Sequence, residues 1–204
     1  MSRRYTILQS NVTDLGFVDE LQDALDQLRA STGLAFSYAF SDEPADRLAR
    51  HVYGERNDRA VLTLVDDHAT PVRYLITEAP TREEAQRVAS ALEQRLPSVP
   101  VEELQRDAAE PGRRPETLVL LALGADEAYD EASANIIRDA LGSDDPVVRL
   151  KAVEASSLTL WSELLLAVEA ARDSDPDPRV RELATRALSG EWGRREHLDE
   201  GDRP

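Results

Sequence analysis

The chain of 204 residues has no cysteine, one methionine and a single lysine, Lys151, among its 24 basic residues. Without cysteine there is no disulfide, no thiolate metal site and no cysteine nucleophile. The three histidines, His51, His68 and His197, are too far apart in sequence for a helical pair of imidazole ligands. Glycine is scarce at nine residues, and no glycine-rich phosphate loop or nucleophile elbow is written anywhere. No apolar run approaches the ~18 residues of a membrane-spanning helix. The opening stretch "MSRRYTILQSNVTD" lacks the apolar segment of a secretory signal. The expected location is the cytoplasm, and a membrane is not an expected partner. No metal ligand set, catalytic group or cofactor site is assigned.

Positive charge is also in short supply. Forty acids face 24 bases, for a net charge of -16. The acids divide evenly about residue 110, and so do the bases, so the acidity is spread and is not a tail. Such a surface repels phosphate backbones, whose binding is driven by counterions released at Lys and Arg. Nucleic acid is therefore not an expected partner. Another protein is, and a basic one is favoured.

The first half of the chain mixes strand and helix periods. Tyr5–Val12 alternates as a strand does. Val18, Leu21, Leu25 and Leu28 recur at helical spacing behind Asp14, and Gly33 suits the helix end. Leu34–Phe40 predicts a strand with Phe36, Tyr38 and Phe40 on one face. Asp46–Tyr53 predicts a short helix, and Asn57–Arg59 a turn. Ala60–Val65 and Val72–Thr77 predict a hairpin. Thr81 and Glu84 form a capping-box pair for a helix that runs to Leu96, and "VEEL" predicts a last short strand. The pattern predicts an α+β sandwich domain over 1–105, loosely ferredoxin-like in a β-α-β-β-α-β order.

A polar stretch with two prolines and a glycine follows, and 106–114 is read as a linker. Beyond it the strand signals vanish. Apolar segments at helical spacing predict an all-α array over 115–195, ahead of a charged disordered tail over 196–204. The array contains a repeat. "SDDPVVRLKAVEAS" starts at Ser143 and "DPDPRVRELATRAL" at Asp175. Pro146 matches Pro178, Val148 matches Val180, Arg149 matches Arg181, and Ala152 matches Ala184. Each pair is 32 residues apart, a period that suits stacked two-helix units. Asp before Pro is helix-start chemistry: the carboxylate accepts free N–H groups, and Pro at the first position lacks a donor that would go unused.

These segments resemble the short HEAT-like repeats of the phycobilisome-lyase type. The resemblance covers about residues 115–189, with two clear copies and a degenerate one upstream. It implies a curved stack of helix pairs (an α-solenoid) used for binding proteins. It also implies that Arg149 and Arg181 pair with acids in neighbouring turns. The first half matches no part of this pattern.

Other clusters have plain structural readings. Asp66–His68 could hold a metal, but Asp and His are ordinary turn residues. The acids of Asp42–Arg47 and Asp126–Ser133 suit helix starts. Trp161 and Trp192 suit helix junctions and caps, with Trp161 also a candidate contact. The expected function is a non-catalytic protein–protein interaction module, an adaptor, scaffold or regulator. Leu150, Glu154, Glu182, Arg186 and Trp161 are its candidate contact residues. Two alternatives stand: an immunity- or antitoxin-like inhibitor of a basic protein, and an enzyme or lyase-like accessory with a ligand pocket near Phe36, Tyr38, His51 and His68.

Overall fold

A computed structural model describes residues 1–9, 14–45, 48–57, 59–67, 72–125, 128–159 and 161–189. The chain divides into two compact units, Met1–Pro100 and Val101–Pro204. The first is α+β and the described part of the second is all helix.

In the first unit β1 (Ser2–Leu8) leads to α1 (Asp14–Thr32). Four strands follow, with no helix between them among the described residues: β2 (Phe36–Ala45), β3 (Leu48–Glu55), β4 (Val61–Asp67) and β5 (Val72–Ala79). Helix α2 (Arg82–Glu93) closes the unit. The sheet order is β1-β5-β4-β3-β2, and each neighbouring pair is antiparallel. This corrects the ferredoxin-like expectation. A strand, β3, stands where Asp46–Tyr53 predicts a helix, because its residues gain cross-strand partners on both sides, Tyr53 lying between Tyr38 and Leu62. Residues 46 and 47 lie outside the described residues.

Both helices cover one face of the sheet. Phe17, Leu21, Leu25 and Leu28 of α1 meet Val88 and Leu92 of α2 over Leu62, Leu64 and Leu75. Each such side chain contributes roughly 1.5–3 kcal/mol when fully buried. Gly33 ends α1 at φ +74, and its N–H reaches the Arg29 carbonyl at 2.9 Å. That left-handed backbone is open to glycine at no steric cost. The expected aromatic stripe on β2 is broken. The register shifts between Tyr38 and Phe40, so Tyr38 pairs with Tyr53 whereas Phe40 pairs with Val52 on the opposite face.

Pro97–Val99 runs along β1, with Val99 N–H on the Ile7 carbonyl at 2.8 Å. "VEEL" is helical, not a strand: α3 spans Val101–Ala109, with Leu104 and Ala108 buried one turn apart. The first residues of the polar stretch read as a linker, Arg106–Ala109, form the last turn of α3. Helices α4 (Glu116–Gly124), α5 (Glu131–Leu141), α6 (Pro146–Thr159), α7 (Ser162–Ser174) and α8 (Pro178–Ser189) follow among the described residues of the second unit.

Among the described residues three helix hairpins, α3–α4, α5–α6 and α7–α8, stack in sequence order. Helices α4, α6 and α8 pack one on the next in one layer, and α3, α5 and α7 do so in the other. Small residues let the first layer close up: Ala152, Ala155 and Ala184 have no exposed surface. Among the described residues no helix is long and apolar enough to cross a membrane.

Candidate interaction site

The repeated segments form repeated helix starts. The Asp145 carboxylate accepts the N–H of Val147 at 2.8 Å, and that of Asp177 accepts the N–H of Arg179 at 2.8 Å. Each satisfies a donor that a helix leaves free in its first turn. The Arg179 side chain also forks onto Asp177, which with the backbone bond holds its carboxyl down at about 2.

The arginines four residues after these aspartates repeat as well. Nη1 of Arg149 donates to the carbonyls of Ser143 (2.8 Å) and Asp144 (3.1 Å). Nη1 of Arg181 donates to those of Asp175 (2.5 Å) and Pro176 (3.2 Å), six and five residues back in both cases. The other edge of Arg149 grips the next hairpin. Its Nε and Nη2 donate to the two Asp175 oxygens at 2.7 and 2.9 Å. Both residues are under a tenth exposed. Arg149 holds the Asp175 carboxyl below its ordinary value, and Asp175 raises the guanidinium in turn. A buried carboxylate and guanidinium hold their charges in this way because each supplies the solvation the other lost.

A second joint links α3 to α5. Asp130 caps α5 through the N–H of Ser133 at 2.9 Å and accepts Nε2 of Gln105 at 2.8 Å. Burial pushes its carboxyl up, and the hydrogen bonds from Ser133 and Gln105 more than offset this, so the net direction is down.

Leu150 and Glu154 of α6 stand one repeat before Glu182 and Arg186 of α8, so the four occupy equivalent positions of one layer. Leu150 is half-buried against the core of α6, α7 and α8. Glu154 pairs with Lys151 at 2.7 Å. Glu182 is exposed, and Arg186 approaches it at 3.8 Å. Trp161 lies apart from them. It is 4% exposed, and its ring meets Tyr129 edge-on at 5.7 Å. It is therefore seated at a helix junction and offers little surface.

Four exposed apolar groups on the array escaped notice in the sequence: Tyr129, Val147, Leu165 and Leu166, the last 79% exposed. Leu165 and Leu166 sit inside the run "LLL", where Leu164 alone is buried. Helical spacing from Val168 and Ala171 would have marked Leu164 as the inward member.

In the first unit Tyr38 is exposed and packs edge-on against Tyr53 at 5.8 Å. Phe36 is half-buried against the core, and His51 is half-buried on β3. His68, Trp192 and His197 lie outside the described residues. Asp66 bonds to Arg73, whose guanidinium lies 4.9 Å over the Phe17 ring. Glu55 is buried and caps its own turn, accepting the N–H groups of Asn57 (2.9 Å) and Arg59 (3.2 Å). Among the described residues no group of three or more His, Asp and Glu side chains could hold a metal ion.

No family model, curated protein or solved structure matches this chain.

Proposed function

We propose that the chain is a protein–protein interaction module, an adaptor or scaffold with a HEAT-like helical array as its binding part. The repeated joint carries this reading. Arg149 and Arg181 make the same carbonyl contacts 32 residues apart, and helices alternate between two stacked layers. Stacks of this kind present long, rigid surfaces whose exposed positions vary without cost to the core. The partner surface runs along α6 and α8, with Glu154, Glu182 and Arg186 as its polar contacts and Leu150 at its base.

The net charge of -16 favours a basic partner. An inhibitor of a basic protein, of the immunity or antitoxin kind, is the second reading, and the same charge supports it. A ligand pocket in the first unit has less support, since Tyr38 packs on Tyr53 at an exposed edge.

The test is affinity purification of the tagged full chain from the cells that make it, beside a Glu154→Arg/Glu182→Arg variant. A protein that co-purifies with the parent and is lost from the variant supports the reading. A protein retained equally by both places binding elsewhere.

A further inference from the structure

Asp175 ties three helices together at one point. It ends α7, with its N–H on the Ala171 carbonyl at 3.1 Å. Its own carbonyl accepts Nη1 of Arg181 from α8 at 2.5 Å. Its carboxylate takes the fork of Arg149 from α6 and, through Oδ1, the N–H of Asp177 just before α8. The apolar seam beside this joint is thin. In its cluster Val153 is the one fully buried residue of α6, and Val168, Ala171, Val180, Leu183 and Ala184 all belong to α7 and α8. Among the described residues Leu164 is the only leucine of α7 and α8 with almost no exposed surface, whereas α4 and α5 bury Leu118, Leu121 and Ile137 completely. In a stack each hairpin holds only to its neighbours, so a thin seam can open while the other hairpins stay folded.

We propose that α7–α8 is a hinged piece that opens as one unit, and that the Arg149–Asp175 pair is the latch that sets how often it does so. One residue ends α7, braces the turn before α8 and carries the carboxylate, so releasing Arg149 frees both helices from α6 together. Opening uncovers Val153 and the half-buried Leu150 beside it. A latch built on charge is steep. Removing one partner leaves the other buried and unpaired, so a single substitution changes the open population by a large factor. The device is a property of the array itself and does not depend on which partner the array binds.

The chain has no cysteine, so one introduced thiol reports opening without background. Val153→Cys in the full chain places a thiol in the seam, and Ala122→Cys in α4 is the reference. Labelling by a soluble disulfide reagent is timed with and without Asp175→Asn, which removes the charge and keeps an oxygen for the Asp177 N–H. Labelling at position 153 is expected to quicken about a hundred-fold, with position 122 unchanged. Equal acceleration at both positions would mean that the pair stabilises the chain as a whole. No acceleration at position 153 would mean that the hairpin is held without the pair. Either result overturns the proposal. Native-state hydrogen exchange of the unsubstituted chain tests it again, even where Asp175→Asn fails to fold. Amides of α7 and α8 are expected to share one opening energy, lower than that of α4 and α5. A single energy for all these helices, or different ones for α7 and α8, contradicts a hairpin that opens as a unit.

Discussion

The guanidinium of Arg149 and the carboxylate of Asp175 meet through two hydrogen bonds, 2.7 and 2.9 Å long, across 26 residues of chain. The pair joins the start of α6 to the turn before α8. It does more than link two charges. Oδ1 of Asp175 also accepts the N–H of Asp177 at 2.8 Å, so the ion pair and the turn before α8 share one carboxylate.

Removing either member leaves the other charge buried. Arg149→Ala and Asp175→Ala are each expected to cost about 3–5 kcal/mol in urea unfolding of the full chain. The double variant is expected to cost clearly less than the sum of the two, a coupling that a double-mutant cycle reads directly. Additive costs would mean that the pair is incidental.

The joints also set a pH dependence. Asp175, Asp130 and Asp177 all have carboxyls held below the ordinary value, Asp177 at about 2. Folded-state values below unfolded ones mean that the unfolded chain binds more protons in acid. The stabilisation is complete from about one pH unit above the ordinary aspartate value of ~3.9 and is lost as pH falls toward 2. Thermal melts from pH 7 to pH 2.5 are expected to show a steep loss below about pH 4.5. Asp175→Asn should be less stable at pH 7 and flatter across that window.

Two glycines with equal room should respond in opposite ways. No atom would lie within 4 Å of an added Cβ at Gly33 or Gly54, but only Gly33 has a positive φ, +74. Gly33→Ala is expected to cost about 1–2 kcal/mol through backbone strain alone. Gly54→Ala, on strand β3, should be neutral or slightly stabilising. Chemical denaturation of both variants checks the contrast.

Adjacent leucines of α7 should likewise diverge. Leu164 is 1% exposed and Leu166 79% exposed. Leu164→Ala is expected to lower stability by about 2–5 kcal/mol through a cavity. Leu166→Glu should stay within ~0.5 kcal/mol of the parent. A large loss from Leu166→Glu would show that this face is covered within the chain itself.

The parts of the fold written in local chemistry were legible in the sequence. The Asp145–Pro146 and Asp177–Pro178 pairs each announce a helix start, because a cap acts over two or three residues. The α1 stripe and Gly33 are local in the same sense. Strand β3 was not legible. In "LARHVYGE" the apolar residues Leu48, Ala49, Val52 and Tyr53 recur at helical spacing, and its strand state depends on β2 and β4 as partners. The shift at Tyr38/Phe40 leaves no sequence mark either, since a bulge is a relation between two strands. "VEEL" is too short for its period to settle. Leu104 and Ala108 reveal a helix once the residues beyond the motif are counted in. Asp175 was visible as the first residue of the second copy, but its counterpart there is Ser143. A pattern that compares copies passes over a residue whose partner belongs to the previous copy.

The most direct test of the interaction reading is hydrogen–deuterium exchange of the full chain with and without the protein that co-purifies with it. The account predicts added protection in α6 and α8, at peptides spanning Leu150–Glu154 and Glu182–Arg186, with the β2–β3 hairpin unchanged. Protection confined to Met1–Pro100, with α6 and α8 exchanging as in the free chain, would contradict it.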